Sequence, residues 1–245
     1  MKSRRKPIVA IDGPAGSGKS TTARLAAQRL GYLYLDTGAM YRAVTLKALR
    51  EGVDVRDDEA VAKLAEEAQI DLVMRDGKLT VLLDGEDVTE AIRMPEVSRN
   101  IGPVADNPEV RRVLVERQRQ LGKEGGVVAE GRDIGTVVFP DAEVKLFLTA
   151  LPHERARRRH KELLGKGVNL PLSDIREEIE KRDQEDMSRP VGALRKAPDA
   201  IELDTTGLAI EEQVAEVVRL AKAAERRLAE NEVAGREAST TSASR

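Results

Sequence analysis

The sequence predicts an α/β fold in which helices cover both faces of a five-stranded parallel sheet. Three observations predict it. Short apolar runs bounded by Gly, Asp or Pro alternate with segments of helical periodicity, as in sheets whose strands are joined by crossover helices. A glycine-rich turn joins the first apolar run to the first helical segment. One region interrupts the alternation with a hairpin signal, which predicts an insertion with its own small antiparallel sheet.

The predicted strands and helices follow one another in regular order. Five apolar runs are expected to form the buried parallel strands: Ile8–Ile11, Tyr32–Leu35, Val127–Ala129, Val144–Leu148 and Ala200–Leu203. Their continuous apolar character is typical of strands that are covered on both faces. Helical periodicity lies between them, in Ser20–Leu30, Ala39–Arg50 and Pro108–Leu121. A glycine closes each of these three segments, as is common at helix C-termini.

The insertion is predicted to run from about Val53 to Asn107. Its runs Ile70–Met74 and Leu79–Leu83 flank a link that contains Asp-Gly, a strong hairpin signal. We therefore expect one domain over residues 1–229, with a core of residues 7–52 and 108–229 around the insertion at approximately 53–107. The polar stretch of small residues at 230–245 is predicted to be a disordered tail.

Composition argues against several classes of function. The 41 Lys and Arg residues balance 43 Asp and Glu, so the chain lacks the basic excess of a general nucleic-acid-binding protein. Without Cys it has neither disulfides nor thiolate chemistry. The apolar run after the basic start is too short for a signal peptide, and no run is long enough to span a membrane. We expect a cytoplasmic monomer that binds neither nucleic acid nor membrane.

A phosphate-binding loop is predicted at the first strand-to-helix turn, which reads GPAGSGKST and matches Gly-x4-Gly-Lys-Ser in full. In such a loop, backbone N–H groups converge on an anion and the helix N-terminus adds positive charge. Lys19 would reach the β- and γ-phosphates, and the Ser20 hydroxyl would bind Mg²⁺ together with waters. The residues expected to bind ATP are Gly13, Pro14, Ala15, Gly16, Ser17, Gly18, Lys19, Ser20 and Thr21.

A phosphate-binding loop alone does not define a reaction, because GTPases, ATP-driven motors and small-molecule kinases all use it. The chain has no Asn-Lys-x-Asp motif for reading guanine. Motors usually carry an acidic pair at a strand end beside the loop. Here Glu130 is instead followed by Arg132 and Asp133 in VVAEGRD, and these charges are expected to face a ligand.

The stretch Asp36–Arg42, DTGAMYR, follows the second predicted strand and opens a helix. Ligands of open α/β sheets bind beyond the carboxyl ends of the strands, so Arg42 could hold an anionic acceptor through a bidentate fork. On this stretch alone, an ordinary helix start with a surface arginine is an equally good interpretation.

Five stretches, in this order and spacing, resemble the bacterial cytidylate kinases: GPAGSGKST, LDTGAMYR, AEGRDIGTVVFPDA, HERARRRHKEL and EKRDQEDMSR. The resemblance runs from about Ile8 to Leu220. Members of that family transfer phosphate from ATP, with Mg²⁺, to CMP or dCMP in pyrimidine nucleotide metabolism. Their fold has a five-stranded parallel core, a lid and an enlarged domain for the nucleoside monophosphate. The resemblance implies that the insertion is this monophosphate-binding domain.

The same resemblance implies an acceptor site. The residues implied to contact the phosphate and sugar of CMP are Thr37, Tyr41, Arg42 and Arg132. Those implied to surround cytosine are Arg111, Asp133 and Arg189. Those implied to face the sugar and the reacting phosphates are Arg182 and Asp186. Gly102 aligns with a further CMP-site position but departs from the family pattern, which often has a serine that touches the base there, so this contact would be missing or replaced by backbone or water.

Residue spacing gives separate support for one of these groups. Arg182, Asp186 and Arg189 lie at i, i+4 and i+7 and would share one helix face. The alternative interpretation is a solvated stripe of charges, in which such a pair contributes little.

A lid is predicted at approximately 153–170, after the fourth strand. It begins with the densest basic run of the chain, His153–Lys161, in which Arg155, Arg158 and Arg159 would share a helix face. A short lid needs several arginines to neutralise charge on the transferring phosphoryl group. A solvated helix face and a nucleic-acid contact are the alternatives.

We therefore predict transfer of the γ-phosphate of ATP to CMP or dCMP, with Mg²⁺ as cofactor. The predicted catalytic residues are Lys19, Arg132, Arg155, Arg158, Arg159 and Arg182. The alternatives are another nucleoside-monophosphate or small-molecule kinase of the same fold, and a regulatory ATPase or nucleic-acid-binding protein with a phosphate loop.

Recognition of the base is predicted to involve Asp133 and Arg111. Asp133 would accept from the cytosine amino group while Arg111 donates to the acceptors of the cytosine ring. The alternative is that Asp133 pairs with Arg132 or another arginine and never meets the base.

Overall fold

The computed structural model describes residues 5–75, 77–165 and 167–242. In chain order the elements are β1 (Lys6–Asp12), α1 (Lys19–Leu30), β2 (Leu33–Asp36), α2 (Thr37–Glu51), α3 (Asp58–Glu67), β3 (Ile70–Arg75), β4 (Lys78–Leu83), β5 (Glu86–Asp87), a 3₁₀ turn (Ala91–Arg93), α4 (Pro95–Asp106), α5 (Pro108–Gly122), β6 (Gly125–Gly131), a π-helical turn (Ile134–Val138), β7 (Val144–Thr149), α6 (Pro152–Gly165), α7 (Leu172–Ser188), β8 (Ile201–Asp204) and α8 (Ile210–Ser242).

The five predicted parallel strands form one sheet in the order β2-β6-β1-β7-β8. All four neighbouring pairs are parallel, which confirms the predicted fold class. The strand β1 therefore lies at the centre of the sheet, and the glycine-rich loop leaves its carboxyl end between β6 and β7.

Helices cover both faces of this sheet, as the apolar runs predict. In β1, Val9 and Ile11 point into a core shared with α1 and α8, where Ala23 and Val214 are fully buried. Ile8 and Ala10 point into the opposite core, whose residues include Val44 of α2 and Leu114 of α5. Because successive side chains of a strand alternate between faces, β1 contributes to both cores and must be apolar throughout.

The insertion carries the predicted antiparallel sheet. The strands β3 and β4 pair from Ile70 opposite Leu83 to Arg75 opposite Lys78, and β5 adds a third short strand. The Asp76 position of the predicted turn lies outside the described residues. Val81 of β4 is fully buried in the same core as Tyr34 of β2, so the insertion packs directly against the main sheet.

The region of the predicted lid forms part of a helical hairpin. The helices α6 and α7 pack through a separate apolar cluster of Ala156, Leu163, Ile175 and Ile179. Within the predicted range, Lys166 lies outside the described residues. The helix α7 ends at Ser188, and Arg189 has extended backbone angles, with φ −54° and ψ 136°. Arg189 therefore follows the helix and does not share its face as the spacing predicted.

The prediction of a disordered tail is wrong for residues 230–242. The helix α8 continues through them to Ser242, while residues 243–245 lie outside the described part of the chain. Ala, Glu and Arg dominate the first half of this stretch. Such residues extend a helix at little cost once it is nucleated, and α8 is anchored earlier by Val214 and Val217, which are fully buried.

Candidate active site

A cavity of about 730 Å³ opens at the carboxyl ends of the central strands. The glycine-rich loop and the start of α1 line one side of it, and the start of α2 and the end of β6 line another. The helices α6 and α7 and the insertion complete the wall. This is where the topology of an open α/β sheet places a ligand.

The phosphate loop presents only part of its length to the cavity. Its lining residues are Ala15, Gly16, Gly18, Lys19, Ser20 and Thr21. Gly13, Pro14 and Ser17 are buried behind them. Gly13 has φ 147°, and a side chain there would overlap the Leu148 carbonyl of β7, so glycine is required for the loop to leave the sheet.

Lys19 is buried at the base of the loop, where its Nζ donates to the Pro14 carbonyl oxygen at 2.7 Å. Burial, followed by repulsion from Arg132, lowers the pKa of Lys19 to about 7, although Glu130 and Asp186 oppose this. A bound polyphosphate would give the protonated amine of Lys19 a negatively charged partner.

A pair of carboxylates lies beside the start of α1. The Ser20 hydroxyl donates to Oε1 of Glu130 at 2.6 Å. Burial and the proximity of Glu130 raise the pKa of Asp36 to about 6. Because the Ser20 hydroxyl donates its hydrogen bond to Glu130, the lone pairs of its oxygen stay available, and this set of hydroxyl and carboxylate oxygens fits Mg²⁺.

Three guanidinium groups meet between the phosphate loop and the insertion. Arg132 donates through Nε to Oδ2 of Asp186 at 2.6 Å, and Arg42 donates to the Ser98 hydroxyl at 2.9 Å. No hydrogen bond or ion pair in the described chain involves the Arg182 guanidinium. Burial and the charges of Arg132 and Arg42 lower its pKa to about 9. Of the three, Arg132 is the one paired with a carboxylate among the described residues, so the cluster carries an excess of positive charge that fits phosphate oxygens.

At the insertion end of the cavity, Arg111 forms an ion pair with Asp133. The structure therefore pairs Asp133 with Arg111 and not with Arg132, and both partners line the cavity. Burial raises the pKa of Asp133 although Arg111 opposes this. The Arg111 guanidinium lies 5.7 Å from the centre of the Tyr41 ring. Within the described residues its buried Nε has no hydrogen-bond partner.

Asp186 connects this end of the cavity to the phosphate side. Arg189 donates to its Oδ1 at 2.8 Å and also pairs with Asp106 at 2.7 Å. Burial alone would raise the pKa of Asp186, but Arg132, Arg189 and Arg182 outweigh burial and lower it. Thr37, another predicted acceptor residue, lines the cavity while its hydroxyl donates to the Glu130 carbonyl at 2.8 Å.

The three lid arginines have different environments. Arg158 and Arg159 line the cavity. Arg158 also donates to the Thr205 carbonyl at 2.6 Å, and Arg159 pairs with Glu162 at 2.9 Å. Arg155 is buried against Asp183 and the Ala15 carbonyl, behind the loop. Its predicted role on the transferring phosphoryl group is therefore corrected: the docking of α6 turns this arginine away from the cavity.

Gly102 has no side chain, and the space next to its Cα is open. Gly102 lies on α4 between the cavity-lining residues Ile101 and Ala105 but is not itself among the lining residues. A side chain added there would meet nothing within 4 Å. The structure therefore offers no direct contact from this position.

Several lining residues received no specific role from the sequence, among them Asp36, Arg93, Ser98 and Glu130. Glu130 carried a signal, since it ends a buried strand in VVAEGRD. The sequence around Arg93 and Ser98 carried no such signal. In the structure, Arg93 lies 3.8 Å from Asp36. Arg93 and Ser98 both belong to the insertion, and only its packing brings them to the cavity.

The fold and the site together define a phosphate-loop phosphotransferase, in which a strand–loop–helix cradle faces a cluster of arginines across one cavity. The chain belongs to the cytidylate kinase family, because the sequence profile described as Cytidylate kinase matches residues 9–223. This confirms the resemblance found in the sequence.

Individual relatives support the same family assignment. The chain is 51% identical over 212 residues to a cytidylate kinase of Carboxydothermus hydrogenoformans, covering 86% of this chain and 96% of the relative. It is 52% identical over 221 residues to that of Pelotomaculum thermopropionicum, covering 90% and 98%. An uncharacterized protein from Eubacterium ventriosum of known structure shares the fold alone, with a TM-score of 0.50 and 12% identity over 89% of this chain and 99% of that one.

No helix in the described part of this chain has the length and apolar character needed to cross a membrane.

Proposed function

We propose that this protein transfers the γ-phosphate of ATP to CMP or dCMP, giving ADP and CDP or dCDP. The observation that carries the proposal is the continuity of one cavity. The phosphate loop lies on one side of it, the Arg111–Asp133 pair lies at the insertion end, and a cluster of arginines is between them. A triphosphate in the loop and a pyrimidine monophosphate at the ion pair would meet with their phosphates among these arginines.

The donor side suits a polyphosphate. The N-terminus of α1 lies at the cavity without a side-chain cap, and Lys19 lies buried beneath the loop. Mg²⁺ would be held by Ser20, which Glu130 orients, together with phosphate oxygens and waters. When bound, the ion would supply positive charge to the donor phosphates. The residues of the chain bind and position the donor triphosphate.

The acceptor side works by charge and orientation. A phosphate monoester is already an anionic nucleophile, so no general base is required. Arg42, Arg132 and Arg182 would bind its oxygens and those of the transferring group, and their charges would be worth most at the transition state. Asp186 holds Arg132 in place for this task. Packing of α6 and α7 over the cavity would exclude water and so suppress hydrolysis of ATP.

Recognition of the base rests on the ion pair between Arg111 and Asp133. Cytosine offers an amino donor beside two acceptors. The carboxylate of Asp133 would accept from the amino group, and Arg111, whose Nε lacks a partner within the described residues, would donate to the acceptors. Uracil places a carbonyl where cytosine has the amino group, and Asp133 would then lose its partner.

We further infer a monomeric, cytoplasmic enzyme of pyrimidine nucleotide metabolism that acts on small nucleotides and not on nucleic acid. Light scattering at assay concentration tests the oligomeric state, since a dimer mass would contradict this inference.

The decisive experiment measures ADP formation by the full chain with Mg-ATP and each nucleoside monophosphate in turn. We expect rapid turnover with CMP and dCMP and little with UMP, AMP or GMP. Turnover with a different monophosphate alone would indicate another kinase of the same fold. ADP formation without any acceptor, or its stimulation by RNA, would indicate an ATPase and overturn the proposal.

A further inference from the structure

Ala15 of the phosphate loop is held by both helices of the α6–α7 hairpin. Its N–H donates to Oδ1 of Asp183 at 3.1 Å. Its carbonyl oxygen accepts from Nη1 of Arg155 at 3.1 Å. Its methyl group packs against the apolar cluster of the hairpin. The two polar groups and the side chain of this residue thus all contact the hairpin.

The two charged residues that hold Ala15 form a buried ion pair. Arg155 is 7% exposed and Asp183 is 6% exposed, and their side chains bond directly. The Nε of Arg155 donates to the Ala150 carbonyl at 3.1 Å, so the guanidinium is also tied to the end of β7. Burying such a pair costs desolvation, and an apolar pair of similar volume is often as stable. Stability alone therefore does not account for these residues.

The position of Asp183 on α7 indicates what the pair does. The preceding residue, Arg182, faces the cavity, and Asp186 follows one turn later. In the absence of phosphate, Arg182 is repelled by Arg132 and Arg42. The contacts to Ala15 hold α7 against the phosphate loop in spite of this repulsion.

We propose that Arg155 and Asp183 are positioning residues that lock the phosphate loop to α7, and thereby set the distance between the donor phosphates and Arg182. The inference rests on the proposed kinase function for its kinetic consequences. Its binding consequences depend only on a nucleotide in the phosphate loop. Neither residue touches substrate, so both act through Ala15 and Arg182.

The test compares four variants of the full chain: Asp183→Ala, Asp183→Asn, the double variant Arg155→Met/Asp183→Leu, and Ile175→Ala. The double variant replaces the ion pair by apolar side chains and restores packing without restoring the bonds to Ala15. The Ile175→Ala variant weakens the same hairpin and keeps both hydrogen bonds to Ala15, because Ile175 lies in the apolar cluster and takes part in neither bond. The readouts are the melting temperature, the Kd of ADP by calorimetry, and KM for ATP and for CMP.

We expect Asp183→Ala to raise the Kd of ADP and KM for ATP by about tenfold, the effect of losing one hydrogen bond to a charged group. Asp183→Asn keeps an acceptor for the Ala15 N–H and should recover part of the affinity. The double variant should recover the melting temperature but not the affinity for ADP. Ile175→Ala should lower the melting temperature and leave the Kd of ADP unchanged.

Two results would overturn the inference: affinity for ADP that returns in the double variant together with the melting temperature, or an Asp183→Ala variant with unchanged Kd for ADP. Because calorimetry with ADP needs no acceptor, it decides this point even if CMP proves not to be the substrate. Failure of the proposed function would instead appear in the wild-type chain, as absent turnover with CMP.

Discussion

Arg132 donates through Nε to Oδ2 of Asp186 at 2.6 Å, joining the end of β6 to α7 across the cavity. The same carboxylate accepts from Arg189, and the pKa of Asp186 lies below its usual range because these arginines outweigh the effect of burial. An ionised Asp186 therefore organises guanidinium groups from different parts of the chain before any phosphate arrives, which is the preorganisation that phosphoryl transfer requires.

Replacing Lys19 by alanine should leave the fold intact and reduce turnover by at least about a hundredfold, because it removes the cation expected to follow the transferring phosphate. Turnover is measured as ADP release with CMP, and the fold by circular dichroism. Lys63→Ala, at a side chain that is 74% exposed, is the matched control. Near-normal turnover of the Lys19 variant would mean that the loop does not hold the donor.

Donor binding should take up a proton at alkaline pH. The pKa of Lys19 is lowered to about 7 by burial and by Arg132, so this amine is mostly neutral at pH 8 in the free protein. The phosphates of ADP would raise the pKa again and protonate the amine. We expect an uptake of about 0.9 proton per ADP at pH 8, falling toward zero below pH 6, and an affinity that weakens as pH rises above 7.

Calorimetry in two buffers of different ionisation enthalpy measures this uptake. The Lys19→Met variant is the control, since it should bind ADP more weakly and without the uptake. Equal proton uptake in the variant would assign the effect to another group.

Replacing Asp133 by asparagine should strongly lower the ratio of kcat/KM for CMP to kcat/KM for UMP. In the wild type, the mismatch between the Asp133 carboxylate and the uracil carbonyl should cost about 1–3 kcal/mol, or roughly fivefold to a hundred-and-sixtyfold in kcat/KM. Asparagine can donate to that carbonyl, so the ratio should fall while KM for ATP is unchanged. The ratio of kcat/KM for CMP and UMP is the measurement.

Asp141→Asn serves as the control, because Asp141 is exposed in the same part of the chain. If CMP and UMP weaken in equal proportion in the Asp133 variant, the pair with Arg111 is structural and the base is read elsewhere.

Removing residues 231–245 should change the melting temperature by less than about 2 °C. Among the side chains that the structure describes, those that anchor α8 precede this segment: Val214, Val217, Ala221 and Ala224 are buried, and Glu225 accepts from the Tyr32 hydroxyl at 2.6 Å. The measurement is thermal unfolding of the full and truncated chains. A drop of many degrees would show that the end of α8 packs against the body.

The sheet, its helices and the hairpin of the insertion were predictable because each depends on residues close in the chain. A run such as Ile8–Ile11 can be buried only as a central strand, and the Asp-Gly link between β3 and β4 favours one kind of turn. The phosphate loop is equally local, since its glycines and Lys19 act within a single turn. The end of α8 was the exception, because helix propagation from a packed segment overrode its polar composition.

The fold class, the family and the phosphate loop can be predicted from residue types and their spacing along the chain. The partners of the charged residues depend instead on how the elements pack. The tertiary structure pairs Asp133 with Arg111, turns Arg155 behind the loop while leaving Arg158 in the cavity, and brings Arg93 from the insertion. Residue types and intervals do not show how one helix docks on another. That docking sets the distances between charges, and the distances and burial of charges determine what they bind.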